Sequence, residues 1–289
     1  MSLSRYLQTP EFLNSIPGKS PDELKSIILD KGNEWFRNNK SETNRIRHNL
    51  VQFGFHPDTL ITKVQEHVIL HYYEKLLPLS DSPEFFYSFL KSHVDCTSAV
   101  KQLESSISDG KGIIVALSHF GAVEFVVPSL AAFNLPLNAV LRFTTEQLSA
   151  QAHKRARLMN ESGLFGPINF IEIGKPGTPV AMYMAAALRR KEILVSVFDE
   201  KTEYSKPVTI FGKKVSGGAG LDRIARFANT PTDIFTAFMT RNENDTYTLE
   251  LKKIDHQDSV QKMFDELEAI VKEITEQWYF LHEEIPFLF

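Results

Sequence analysis

The residues with the clearest chemical potential lie in Ala-Leu-Ser-His-Phe-Gly-Ala-Val-Glu-Phe, residues 116–125. A histidine with an ordinary pKa of about 6.5 takes up and returns a proton at neutral pH. His119 is therefore a candidate general base. Glu124 follows five residues later. From within a following helix its carboxylate would reach back to the imidazole, fix the tautomer and stabilise the imidazolium. Gly121, between the two, lets an acyl chain or a backbone segment approach closely. Exposed amides at the start of a helix would suit a developing oxyanion. A capped strand-to-helix turn, in which the histidine only bonds backbone, has the same spacing. Spacing alone leaves both readings open.

The surrounding pattern says what must hold these residues. Apolar runs at 112–117, 138–143, 169–173 and 192–198 read as strands, and helical segments at 121–133, 146–161 and 179–190 lie between them. That alternation predicts an α/β fold, a mostly parallel central sheet flanked by helices. A strand ending near Leu117 would put His119 outside its carboxyl end, where ligand sites form in open α/β sheets. Asp199 and Glu200 follow a strand in the same way and should share that edge. Further on, 206–215 reads as a hairpin turning at Gly212-Lys213. Strands over 232–238 and 246–251 and an amphipathic helix over 260–274 complete the pattern. Residues 1–95 form a helical amino-terminal subdomain packed on the core, with helices predicted at 21–30, 41–52, 57–77 and 83–93. Residues 96–289 form the α/β core, and the two parts make one structural unit.

Composition narrows the function classes. The chain has 289 residues, with 32 basic against 36 acidic side chains, and this net charge of −4 supplies no global field for gripping nucleic acid. Its one cysteine, Cys96, excludes an intramolecular disulfide framework and a cysteine-built zinc site. No metal is called for. The longest apolar stretch, 120–133, is interrupted by Glu124 and Pro128 and falls short of the ~20 residues that span a bilayer. The first residues carry no signal-peptide core. These features predict a soluble cytoplasmic protein, with peripheral membrane contact at the inner face left open. The 22 phenylalanines predict a large aromatic interior or an apolar pocket.

His-Phe-Gly-Ala-Val-Glu, residues 119–124, resembles the His-X4-acid motif of the lysophospholipid acyltransferase superfamily. HFG-x-x-E is the form used by its lipid A biosynthesis (late) acyltransferase branch. The similarity runs in collinear order over about residues 42–285. It takes in Arg142, Arg157 with Gly163, Asp199-Glu200, Phe211-Gly212, Gly217–Gly220 and the Gln277-Trp278-Tyr279 segment. The resemblance implies an acyltransferase that moves an acyl group from a thioester, on acyl carrier protein or coenzyme A, to a hydroxyl or amine. His119 would be the general base and Glu124 its orienter. Arg157, Glu200, Asp199, Arg142 and Gly121 would line the substrate. No cofactor beyond the acyl thioester co-substrate is implied.

Some features depart from that branch. Ala122-Val123 stand where its motif has Asn-Trp, and Glu283-Glu284 where arginines follow its terminal segment. The amino-terminal residues are not expected to form the membrane anchor of that branch. These differences point to a soluble acceptor or a substrate tethered to an acyl or peptidyl carrier protein, as in natural-product biosynthesis. Lys154-Arg155-Arg157 and Arg189-Arg190-Lys191 are the candidate docking groups for such a carrier. Two other readings use the same residues: a non-catalytic protein of this fold that binds an acyl chain or docks a carrier, and a thioesterase in which His119 activates water. His67, His71 and Glu74 share a helical face but read as structural. The glycines of 216–220 lack a nucleotide-binding pattern.

Overall fold

The computed structural model describes residues 2–143, 146–174, 177 and 179–285. Short helices α1 (Leu3–Leu7) and α2 (Pro10–Asn14) precede four longer ones, α3 (Pro21–Asn38), α4 (Lys40–Gln52), α5 (Pro57–Leu76) and α6 (Pro83–His93). The start signals are physical. Ser20 and Glu23 form a reciprocal capping box at the head of α3, and Pro21, Pro57 and Pro83 occupy first turns, where a missing N–H costs nothing.

The α/β part follows as β1 (Val94–Asp95), α7 (Thr97–Ser108), β2 (Gly112–Gly121), α8 (Val126–Ala131), β3 (Leu137–Leu141), α9 (Glu146–Ser162), β4 (Ile168–Glu172), α10 (Val180–Arg189) and β5 (Ile193–Val197). A hairpin, β6 (Ser205–Ile210) and β7 (Lys213–Gly218), leads through α11 (Gly220–Ala228) to β8 (Thr232–Arg241), β9 (Tyr247–Ile254) and α12 (Ser259–Glu273). The seven-stranded sheet has the order β1-β9-β8-β2-β5-β3-β4. β8, β2, β5, β3 and β4 are mutually parallel, while β9 runs antiparallel to β8.

This order locates the site. From β2 the chain moves through α8 to β3 on one side, and from β5 it returns to β8 on the other. The crevice between the carboxyl ends of β2 and β5 is thus a topological switch point, the usual ligand position in open parallel sheets. The helical lead-in shares one continuous apolar core with the sheet, and its last residues supply β1, which pairs with β9. The phenylalanines fill that interior: Phe125 meets Phe86, Phe89 and Tyr247, and Phe198 meets Phe264.

Several local expectations are corrected. β2 continues through His119 to Gly121 and does not stop near Leu117, because β8 keeps pairing with it across an irregularity between Leu117 and Gly121. The helix expected over 121–133 shrinks to one 3-10 turn, Val123–Phe125, and the six residues of α8. The hairpin turns at Phe211-Gly212, one residue earlier than expected. Both residues have positive φ, 49° and 71°, as a two-residue turn matched to strand twist requires. Of the glycines of 216–220, Gly217 serves packing, since a Cβ there would lie 2.8 Å from Val260 and 2.9 Å from Val208, and Gly220 opens α11 as expected. Among the described residues, no helix is long and apolar enough to cross a membrane.

Candidate active site

The register of β2 and β5 pairs Ile113 with Ile193 through Leu117 with Val197, a constant offset of 80 residues. The same offset carried two residues further sets His119 opposite Asp199. Asp199 is fully buried and uses both carboxylate oxygens on this one partner. Oδ2 accepts from the His119 backbone N–H at 2.7 Å, and Oδ1 lies 2.9 Å from Nδ1. A carboxylate accepts only, so Nδ1 carries a hydrogen and, in the neutral ring, the lone pair sits on Nε2. Nε2 faces the half-exposed Glu200, whose Oε1 is 3.6 Å away.

The acid that orients His119 is therefore Asp199. Glu124 has a different environment. It sits in the 3-10 turn beside buried Phe125, with its carboxylate toward α5, where Oε1 lies 3.6 Å from His71 Nε2 and 3.7 Å from Lys75 Nζ. The expected reach back from a helix fails because β2 runs on to Gly121 and the helix begins only at Val126. Gly121 is required by backbone. Its φ is 59°, and a Cβ would lie 1.9 Å from the Met239 carbonyl oxygen. Of the two roles expected for this glycine, close backbone approach is the one observed. The helix-start amides expected as an oxyanion site are also not at His119, whose own N–H is committed to Asp199.

Electrostatics follow the geometry. Burial alone would push the His119 pKa down, but the Asp199 charge and its hydrogen bond outweigh it, with help from Glu200 and Glu124, and raise it to about 8. His71 is pushed well below 6.5 by burial, and Lys75 and Arg241 add to that. It is a neutral wall of the site. The aromatic Tyr279 lies between the two histidines, with ring centroids 4.5 Å from His71 and 6.3 Å from His119. Phe280 covers the other flank of His119 at 4.8 Å.

Two frameworks hold this arrangement. The first is a buried ion pair under β2. Arg241, on β8, binds Glu74 through Nε at 2.5 Å and Nη2 at 2.8 Å, and Nη2 also donates to the Gly121 carbonyl at 2.8 Å. His67 Nδ1 lies 3.3 Å from Arg241 Nη1. The His67-His71-Glu74 face of α5 is thus a structural clamp on the end of β2. The second framework is the terminal segment. Gln277 exchanges two 2.9 Å hydrogen bonds with the Arg241 backbone, and the Asn49 amide donates to the carbonyls of Leu281 and Glu283. Together they hold Tyr279 and Phe280 against the imidazole.

The expected arginines lie elsewhere. Arg157 is on the solvent face of α9, 3.8 Å from Glu161, and lines a groove of about 380 Å³ with His153, Asn160 and Phe170. Arg142 is exposed at the end of β3 beside Gly174. The inward-facing cation of α9 is Arg155, which donates to the Lys75 carbonyl at 2.9 Å and interacts with Glu124. Arg155 lies one turn before buried Met159, and the sequence carries no signal that separates it from Arg157. Of the other basic group, Arg189 donates to the Ala228 carbonyl, Arg190 is paired with Glu192, and Lys191 donates to Thr230.

A hydrogen-bonded acid and histidine, with the far imidazole nitrogen turned toward a half-exposed glutamate, can remove a proton from a bound nucleophile and return it to a leaving group. Compared with known proteins, the chain matches no family model and no curated sequence.

Proposed function

We propose that this protein is an acyltransferase in which His119, oriented by Asp199, activates an acceptor for attack on an acyl thioester. The observation that carries the reading is the Asp199–His119 pair in the β2–β5 crevice, with Nε2 left facing the mouth. The likeness of residues 119–124 to a known acyltransferase motif supports the thioester class. Nε2 accepts the proton of the incoming nucleophile and Asp199 stabilises the imidazolium. The acceptor attacks the carbonyl carbon, the C–S bond breaks, and the thiolate takes the proton from Nε2. The thioester is already activated, so the chemistry needs no acyl-enzyme. The donor is acyl coenzyme A or an acyl carrier protein in the cytoplasm. Lys154 and Arg157 on α9, and Arg189 and Arg190 at the end of α10, are exposed cations that an acidic carrier would meet.

The test is product analysis. Octanoyl coenzyme A incubated with the protein and a mixture of small primary amines and alcohols should release thiol and form an acylated acceptor, read by mass spectrometry. Free octanoic acid as the sole His119-dependent product would instead assign a thioesterase. Thiol release no faster than without protein would refute the reading.

A further inference from the structure

The chemistry at the mouth is one-sided. In the base form of His119, Nδ1–H is given to Asp199 and Nε2 is a bare lone pair. Glu200 Oε1 faces it at 3.6 Å, so two acceptors confront each other. The other charges bearing on this imidazole, from Glu124 and Glu283, are also negative. The cations nearby are turned away. Lys75 lies against Glu124, Arg155 reaches back to the Lys75 carbonyl, and Arg45 is paired with Glu42 at 2.9 Å. A hydroxyl acceptor has a single hydrogen to offer. Donated to Nε2, it leaves its oxygen lone pairs against the Glu200 carboxylate. A primary ammonium has three donors and a positive charge, which satisfies both acceptors at once.

We infer that the acceptor is a primary amine that binds as its ammonium between His119 Nε2 and Glu200, and that Glu200 sets the preference for amine over alcohol. This rests on the acyl-transfer reading above. The step balances as R–NH3+ plus R′C(O)–SR″ giving R′C(O)–NHR, HSR″ and one proton. One ammonium proton passes to Nε2, and the freed nitrogen lone pair attacks the thioester carbonyl. The C–S bond breaks and the thiolate takes the proton from Nε2. The surplus proton on nitrogen leaves through Glu200 to solvent. The raised affinity of His119 for a proton fits the same field: a site that attracts a proton to Nε2 also attracts an ammonium.

The experiment is a competition at pH 8 between 2-phenylethylamine and 2-phenylethanol for octanoyl coenzyme A. Amide and ester are quantified by mass spectrometry, and the His119→Ala rate is subtracted as background. The wild-type protein should form mainly amide. Glu200→Gln, which keeps the shape and removes the charge, should lower the amide-to-ester ratio by about 10-fold or more, the scale of one hydrogen bond to a charged group. Glu200→Asp should restore part of it. Ester as the main product, or an unchanged ratio in Glu200→Gln, would overturn the inference while leaving acyl transfer standing. His119-dependent free octanoic acid with neither adduct would also overturn it. Absence of any His119-dependent thiol release would refute the acyl-transfer reading itself.

Discussion

Asp199 spends both oxygens on His119, one on its backbone N–H and one on its ring, so it fixes the position and the tautomer of the imidazole together. An asparagine there can accept only one of those two hydrogens and presents an NH2 to the other. Asp199→Asn should therefore lower turnover by about 10²–10⁴-fold, as loss of a tautomer-setting acid does elsewhere. Glu124→Gln should cost no more than about fivefold, the scale of a partly exposed ion pair. The pH profile separates orientation from mere packing. His119 works as a base when neutral, and its pKa is raised to about 8, so kcat/KM should rise through pH 8 and fall again only where the acceptor loses its ammonium form. In Asp199→Asn the carboxylate that raises the pKa is gone while burial still lowers it, so that limb should move to lower pH. An unmoved limb would mean that Asp199 does not tune the base. The histidine was legible in the sequence because its motif is local. Its partner was legible only as an acid sharing that sheet edge, and that Asp199 rather than Glu124 bonds the imidazole follows from the pairing of β2 with β5, which brings together residues 80 apart. Local spacing alone favoured Glu124.

At the scale of elements, the site depends on β2 staying extended past its regular pairing. Gly121 allows this through its left-handed φ and its close approach to Met239, and Arg241 ties its carbonyl to Glu74 on α5. A side chain at Gly121 meets backbone that cannot step aside. Gly121→Ala should destabilise the fold by roughly 3 kcal/mol or more, by strain and overlap. Arg241→Ala leaves the fully buried Glu74 without its counter-charge and should cost about 3–5 kcal/mol. Urea unfolding of both variants is the check, and a loss under about 1 kcal/mol in either would contradict the clamp. Periodicity made most elements readable, and helix starts at proline and serine placed their first turns. What it could not show was the extension of β2 or the shortness of α8. An apolar stretch such as Phe-Gly-Ala-Val-Glu-Phe-Val-Val carries no period that separates strand from helix, and the pairing with β8 decides it. The two-residue β1 was missed because a single pairing leaves little pattern, whereas α7 is a full helix whose buried Ala99, Val100, Leu103 and Ser106 recur at helical spacing and was there to be read.

Across the whole molecule, buried histidines set the acid limit of stability. His67 is lowered to about 3, chiefly by burial with Arg241 and Lys63 adding to it, and His282 to about 4 by burial despite its bond to a backbone carbonyl. His71 is likewise lowered well below 6.5, chiefly by burial. All three bind protons in the unfolded chain below about pH 6.5 and not in the folded one. Stability should fall as pH drops below that point, by up to about 4 kcal/mol per pH unit before Glu74 and Glu283, whose raised pKa values oppose it, take up protons. His119 has the opposite sign. Its contribution is complete below pH 6.5 and is lost as pH rises through about 8. Stability should thus peak between these limbs, and His71→Gln, if it folds, should flatten the acid one in urea titrations at pH 7 and 5.5. The shared core of the helical lead-in and the sheet explains why these histidines matter to the site, since α5 carries both His67 and His71.

The most direct test of the account is a single-turnover rate of thiol release from octanoyl coenzyme A, with 2-phenylethylamine present, for the wild-type protein and for purified His119→Ala at pH 8. Circular dichroism would confirm that the variant retains its fold. Loss of a positioned acid–base group predicts a rate about 10²–10⁴-fold lower in the variant. A folded His119→Ala protein that releases thiol at nearly the wild-type rate would contradict the assignment of His119 as the base.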